Sequence, residues 1–265
     1  MLIKWGKSIR SSTKMERSDK YGRTYHYPFS PGVKNDDRIN ESWWEGSKGK
    51  IRVDTEKLDG ENTCLSEYGL FARSHSAPTT SPWSRHLVPL WERLKPQLGE
   101  LEIFGENMYA IHSIEYKKLD HHFYVFAVRD RGKVWLSWEE VVFWSGVLDL
   151  PVVPVIYTGP TADSAEQHKK DVIALASGRG VFDPYEAEQV MASKARKQGI
   201  SLAQYMESND NGKCTMEGIV SRPVGEFSVE DFPIVVSKFV RKDHVGTDEH
   251  WTRNWKRAPL LSEKK

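Results

Sequence analysis

The sequence predicts an α+β fold, and three observations carry that prediction. Apolar residues recur with a period of two in several short runs, most clearly Ile51-Arg52-Val53-Asp54-Thr55-Glu56-Lys57. Helical spacing is concentrated in one central stretch at about 160–206. Strand-like runs flank that stretch on both sides, without the regular strand–helix alternation of a doubly wound sheet. The chain has 265 residues, 38% hydrophobic and 28% charged, which suits a globular protein with a sizeable core. No apolar run approaches the roughly 20 residues of a membrane span, so no membrane partner is expected. The basic, Ser-rich start has no apolar core and is not read as a secretory signal. Cys64 and Cys214 have no metal-site spacing, and a reduced, cytoplasmic or otherwise intracellular protein is the simpler expectation.

In chain order, residues 1–50 are polar, with SPG at 30–32 and GSKGK at 46–50, and read as an irregular extension with short strands. Residues 51–57 form the first clear strand, with Ile51, Val53, Thr55 and Lys57 on one side. LSEYGLFARS, 65–74, predicts a hairpin turning near Gly69. Leu87, Leu90, Trp91 and Leu94 have helical spacing, with Pro89 breaking or opening the helix. Strands follow at 101–107 and 121–130. Ser137 and Glu140 form a capping box ahead of VVFWSGVL. Helices are expected at 163–177 and 185–206, parted by GRGVFDP. CTMEGIVSRP and PIVVSKFVRK read as closing strands. The division expected is a basic extension (1–50), a core (51–245) with a helical insertion at about 160–206, and a basic tail (246–265).

Formal net charge is +1, yet residues 1–34 hold eight Lys/Arg against two acids, and residues 237–265 hold eight against four. Two basic ends on a neutral whole suit a polyanion partner; solvated tails are the plainer alternative.

Charged or aromatic residues stand at the ends of the strand-like runs. They are Lys57-Leu58-Asp59-Gly60, Glu106, Phe126, Glu217-Gly218, and Lys238 with Arg241. Each alone is a weak signal. In this order they resemble the motif series of the covalent nucleotidyltransferases: ATP-dependent DNA and RNA ligases and mRNA capping enzymes. FGENMYAIHSIEY, FYVFAVRD and SKFVRKDHVGTDEHW look most like the RNA ligases. The resemblance covers about residues 51–245. It implies an ATP-grasp-like nucleotidyltransferase core of two antiparallel sheets with flanking helices, holding the nucleotide between them.

By that resemblance Lys57 is the nucleophile, forming a lysyl–AMP phosphoramidate, with Glu56 beside it in the nucleotide-binding set. A lysine attacks only when neutral, and its ordinary pKa is about 10.4, so nearby positive charge is expected from Lys238, Arg241 and a divalent cation. Asp59 is expected to orient the turn, near the sugar, and is grouped with Lys57 and Lys238 as catalytic. Gly60 is expected to adopt a positive φ and let backbone approach phosphate. Arg73 and Ser74 match a phosphate- or ribose-contacting position. Glu106 is the expected ribose ligand, and Glu102, on the same face by parity, is its rival. Phe126 is expected to stack on adenine, with core packing as the alternative; parity puts Tyr124 on its face and Phe123 on the other. Glu217 is the expected ligand for Mg²⁺, or Mn²⁺ in its place. Lys238 is expected at the α-phosphate. Residue 240 is Val, so alternation turns Arg241 away from Lys238 unless a bulge intervenes. His112 reads as a packed or solvated histidine that could line the site. In HVGTDEHW, His244 and His250 with Asp248 and Glu249 fit RNA or 5′-phosphate contact better than zinc.

The function implied is an ATP-dependent RNA ligase that joins 3′-OH and 5′-phosphate RNA ends. A DNA ligase and a GTP-using capping enzyme are alternatives that usually carry a C-terminal OB-fold, and none is expected here. An RNA-binding protein with a non-reactive nucleotide pocket is the alternative from another class. Oligomeric state is not indicated.

Overall fold

The computed structural model describes residues 18–131, 134–242, 252 and 255–264. The N-terminal segment carries β1 (Tyr25–His26) and α1 (Trp43–Ser47). Next come β2 (Ile51–Lys57), the hairpin β3 (Glu61–Ser66) and β4 (Gly69–Ala72), α2 (Val88–Leu98), β5 (Leu101–Asn107), β6 (Ile114–Tyr116), β7 (Phe123–Asp130) and β8 (Val134–Trp135). The chain continues through α3 (Trp138–Val147), β9 (Val155–Pro160), α4 (Ala165–Ala176), β10 (Pro184–Glu186), α5 (Glu188–Gln198) and α6 (Leu202–Ser208). It closes with β11 (Gly218–Pro223), β12 (Phe227–Ser228), α7 (Phe232–Val235) and β13 (Ser237–Val240).

The architecture is α+β, as the sequence predicts. One sheet has the order β1-β13-β11-β2-β9 and is antiparallel except for the parallel β1–β13 pair. A second, antiparallel sheet has the order β12-β8-β7-β5-β3-β4, and β10 pairs with β6. The chain passes from the first sheet to the second through Leu58-Asp59-Gly60. Lys57, at the end of β2, therefore faces the crossing point. Val53, Leu65, Ile103 and Val128 join Leu94 and Leu98 of α2 and Val141 of α3 in the main core. A smaller cluster joins Phe71, Phe104 and Trp135 to Phe232 and Val235 of α7. Among the described residues no helix is long and apolar enough to cross a membrane.

The local signals explain most elements. Ser137 and Glu140 form the capping box: Ser137 Oγ accepts from Glu140 N at 3.3 Å and Glu140 accepts from Ser137 N at 3.0 Å. Pro89 lies in the first turn of α2, where its missing N–H costs nothing, behind a 3₁₀ turn at Pro82–Leu87.

Three local expectations change. The helix expected at 185–206 divides into β10, α5 and α6, because Gly199 adopts φ +70° and Ser201 with Gln204 starts a new capping box. Pro233-Ile234-Val235 closes α7 instead of forming a strand: Pro233 sits in its first turn, and Phe232 and Val235 are buried. Strand β9, which had no sequence signal, is an edge strand with only partial burial and no clean alternation.

Helix α4 packs on the first sheet, where Val172 and Ala176 share a cluster with Tyr27, Ile219 and Phe239, while α5 and α6 pack on each other through Met191, Ala195 and Tyr205. Residues 255–264 lie along the loop that follows β5. Ile111 N donates to Lys256 O at 2.9 Å, Ala258 N donates to Tyr109 O at 2.8 Å, and Ala258 is buried in the main core.

Candidate active site

A cavity of about 540 Å³ opens between the two main sheets. Sheet register builds its first wall. Lys238 on β13 pairs with Val220 on β11, and Val220 pairs with Thr55 on β2, so the three form one row. All three line the cavity, as does Lys57, two residues beyond Thr55 on the same face. Gly218 pairs with Lys57, and Glu217 just before it reaches Lys57: Nζ to Oε2 is 2.8 Å. The Lys57 side chain is 27% exposed and that of Glu217 only 5%.

The opposite wall comes from β5 and β7. Glu106 lines the cavity and accepts from Gly60 N at 3.1 Å. Phe104 pairs with Ala127 and Gly105 with Val125, leaving Phe126 as the extra residue of a β-bulge. The bulge breaks the parity that grouped Phe126 with Tyr124. Phe126 lines the cavity, whereas Tyr124 is 1% exposed and packs against Phe182. Glu102, the rival of Glu106, lies elsewhere: it pairs with Arg129 at 2.6 Å and accepts from Asp19 N at 3.0 Å.

Glu56 is 1% exposed and lines the cavity. Its Oε2 accepts from Val181 N at 2.9 Å, while Oε1 is buried with no hydrogen-bond partner. Arg73 is exposed and lines the cavity; Ser74 is exposed and pairs with Ser76. His112 also lines the cavity.

Asp59 does not line it. Its Oδ2 accepts from Ser113 N at 2.7 Å and Ile114 N at 2.9 Å, so it fixes the loop that carries His112. Gly60 does not take the positive φ expected of it. Its requirement is space: a Cβ there would lie 2.6 Å from Asn107 O and 2.7 Å from the Met108 sulfur. Arg241 is not brought to the cavity. Its backbone N donates to Glu217 O at 2.9 Å. His244, Asp248, Glu249 and His250 lie outside the described residues.

Carboxyl groups concentrate in the cavity wall and around Lys57. Burial, reinforced by Glu217 and opposed by Lys57, pushes Glu106 up to about 8. Burial and the Glu217 charge push Asp59 up to about 7, and burial pushes Glu56 to about 7. For Lys57, burial pulls the pKa down, but Glu217, Glu106 and Asp59 outweigh it and the net shift is upward. The depression expected of Lys57 is therefore absent without a bound cation. Lys238 is the lowered lysine, through burial and the neighbouring Lys57 charge.

A protein-family model described as RNA ligase matches residues 52–240. The chain belongs to the RNA ligase family. Among solved structures it is similar to a Naegleria gruberi RNA ligase with PPi, at 17% identity over 92% of this chain and 64% of that one, TM-score 0.48. A mutant Naegleria gruberi RNA ligase with ATP and Mn matches at 17% identity over 87% and 57%, TM-score 0.48. An archaeal ATP-dependent RNA ligase matches at 14% over 84% and 48%, TM-score 0.46. The chain thus spans less than two thirds of the length of each. No curated protein sequence matches it.

This RNA ligase family member also draws site residues from a segment that the sequence reading set apart. Tyr21, Gly22 and Thr24 line the cavity, because β1 pairs with β13 beside Lys238. No spacing in the sequence links residue 21 to residue 238, so only the tertiary pairing reveals them. Val153 also lines the cavity without a motif to mark it.

A second cluster joins Cys64, His75 and Glu102 within 4.8 Å, a donor set suited to a metal. Ser18 Oγ lies 3.7 Å from Cys64 Sγ and 3.0 Å from His75 Nε2, and it donates to Glu102. The hydroxyl thus sits where an ion would, and Arg129 neutralises Glu102. The three donors share the Ser18 hydroxyl, while His75 Nδ1 is buried with no hydrogen-bond partner.

Proposed function

We propose that the protein is an ATP-dependent RNA ligase that joins 3′-OH and 5′-phosphate RNA ends through a lysyl–AMP intermediate. One observation carries the reading: Lys57 Nζ sits 2.8 Å from Glu217, at the floor of a cavity shared by Glu56, Glu106, Phe126 and Lys238. Family membership and this convergence support each other.

In the proposed reaction Lys57 Nζ, once deprotonated, attacks the α-phosphorus of ATP. An N–P bond forms, the bond from that phosphorus to the bridging oxygen breaks, and pyrophosphate leaves. AMP then passes from Lys57 to an RNA 5′-phosphate, and a 3′-OH attacks the activated end and expels AMP. Lys238 supplies a positive charge at the α-phosphate. Phe126 offers its ring to the adenine. Glu56 offers a buried, unpartnered oxygen to a donor, which suits the exocyclic amine of adenine and repels the carbonyl of guanine. Glu106 accepts from ribose hydroxyls. Asp59 positions the wall behind them.

The surplus of carboxylates around Lys57 fits a divalent cation. Glu217 would hold Mg²⁺ or Mn²⁺, and the bound ion would supply charge that draws Glu217 off Lys57 and favours neutral lysine.

The test uses ATP labelled on its α-phosphate, with GTP as control and Mg²⁺ present. Label retained on the denatured protein and mapped to Lys57 by peptide mass spectrometry is the expected result. Nicked RNA, nicked DNA and single strands offered next distinguish the RNA ligase from a DNA ligase. RNA binding without label, from protein whose intact mass shows no AMP, would overturn the reading in favour of a non-reactive pocket.

A further inference from the structure

We infer that Asp37, in the N-terminal segment, is the positioning residue for Lys238, holding its ammonium toward the cavity from outside the nucleotide site. The inference rests on the ligase reading for what Lys238 then does, but its geometry stands alone. Asp37 Oδ1 lies 3.6 Å from Lys238 Nζ. Its other oxygen, Oδ2, lies 3.1 Å from His26 Nε2 and accepts from Lys34 N at 3.1 Å. His26 is 1% exposed, and its Nδ1 lies 2.9 Å from Ser30 Oγ. Ser30 Oγ in turn accepts from Val240 N at 2.9 Å. His26 pairs with Lys238 in the parallel β1–β13 register, and Tyr27 N donates to Lys238 O at 2.9 Å. The chain Ser30–His26–Asp37 is thus fastened at both ends to the strand that carries Lys238.

The two cavity lysines differ in their partners. Glu217, the partner of Lys57, belongs to the site and is the candidate cation ligand. Asp37 lies in the N-terminal segment, 3.6 Å from Lys238, and is not a candidate cation ligand, so Lys238 keeps its counter-charge when a cation draws on Glu217. The side chain of Lys238 is 18% exposed and faces Lys57 on β2, Arg73 after β4, Glu217 before β11 and Asp37. Asp37 itself faces Lys238, His26 and Arg23. Lys57 and Arg73 both oppose a charge on Lys238. Removing Asp37 leaves Glu217 as its remaining acidic neighbour among these groups.

The test compares wild type with Asp37→Asn and Asp37→Glu. Lys238 is first acylated with limiting acetic anhydride across pH 6–10 and followed by peptide mass spectrometry, without nucleotide. In Asp37→Asn its reactivity should rise about tenfold at pH 8, the effect of a one-unit fall in pKa. The other lysines should not change, and Asp37→Glu should restore much of the wild-type profile. Single-turnover labelling of Lys57 from ATP is the second readout. The ratio of wild-type to Asp37→Asn rate should widen as pH rises, because neutral Lys57 is needed equally in both. A folded Asp37→Asn protein with the wild-type acylation profile would overturn the inference. So would a rate ratio constant with pH, which marks a merely structural residue. Failure of the wild type to take label would instead sink the ligase reading, and the acylation profile would still decide the Asp37–Lys238 pairing.

Discussion

Lys57 Nζ and Glu217 Oε2 lie 2.8 Å apart, joining the end of β2 to the residue before β11. The contact holds the proposed nucleophile as an ammonium until Glu217 is drawn elsewhere. Glu217→Gln should therefore have two opposite effects. Lys57 should react faster with an acylating reagent in cation-free buffer, because its pKa loses the support of Glu217. Yet labelling from ATP should fall by about 10²-fold or more, since the proposed cation loses its carboxylate. Lys57→Ala should take no label. Full labelling of Glu217→Gln at low Mg²⁺ would remove Glu217 from the metal role.

Glu106 gives a pH signature. Its folded pKa, pushed up to about 8 by burial and Glu217, lies above the ordinary carboxylate value. A carboxyl raised in the fold contributes fully below its unfolded pKa, and that contribution disappears as pH rises through the folded value. Glu106→Gln removes the ionisation. Relative to wild type, the ligand-free variant should gain on the order of 4 kcal/mol between pH 5 and pH 8.5, at about 1.4 kcal/mol per pH unit over the roughly three units that lie below the folded value. Thermal unfolding at both pH values checks this, at roughly 2–4 °C per kcal/mol. An identical difference in Tm at both would show that Glu106 does not titrate in that window. Nucleotide affinity should fall in the same variant.

Short-range chemistry accounts for what the sequence makes legible. Alternation marks β2, and a capping box marks α3. Lys57, Glu106, Phe126 and Lys238 stand in strands, and Glu217 just before one, where the sheet register gathers them. What was not legible depends on contacts between distant segments. The bulge at Phe126 has no local marker and overturns the parity that groups Phe126 with Tyr124, two residues away. Gly60 was expected to satisfy a backbone angle, but it satisfies a close approach to Asn107 and Met108 that only the folded pair of strands creates. Tyr21 reaches the site, and Asp37 reaches Lys238, through the parallel β1–β13 pair, between segments about 210 residues apart, a separation no periodicity spans.

Glu56 bears on nucleotide choice. Its Oε1 is buried in the cavity wall without a partner, and an unpaired buried acceptor costs about 1–3 kcal/mol. An adenine amine would satisfy it; a guanine carbonyl would not. Glu56→Ala should reduce the preference for ATP over GTP roughly tenfold to hundredfold. Labelling rates with both nucleotides, in wild type and variant, measure the ratio. An unchanged ratio would mean that the open oxygen does not read the base.

Tyr21 ties the N-terminal segment to the site by packing. Its ring lies 5.1 Å from Phe126, 5.1 Å from Phe232, 5.2 Å from Trp135 and 5.4 Å from Phe104. Three of these contacts anchor Tyr21 in the aromatic cluster, and the fourth braces Phe126, which sits on a bulge and lacks regular ladder support. Tyr21→Ala should destabilise the fold by roughly 2–3 kcal/mol, below the 3–5 of a fully buried ring, because Tyr21 is partly exposed. It should also weaken nucleotide binding by freeing the Phe126 ring. Tyr21→Phe keeps the ring contacts and should restore binding, with a stability loss of only about 1 kcal/mol for the hydroxyl. Thermal unfolding and nucleotide titration of the two variants separate these effects. If Tyr21→Ala binds nucleotide as tightly as wild type at a temperature where both are folded, Tyr21 supports the fold alone and Phe126 holds its place without it.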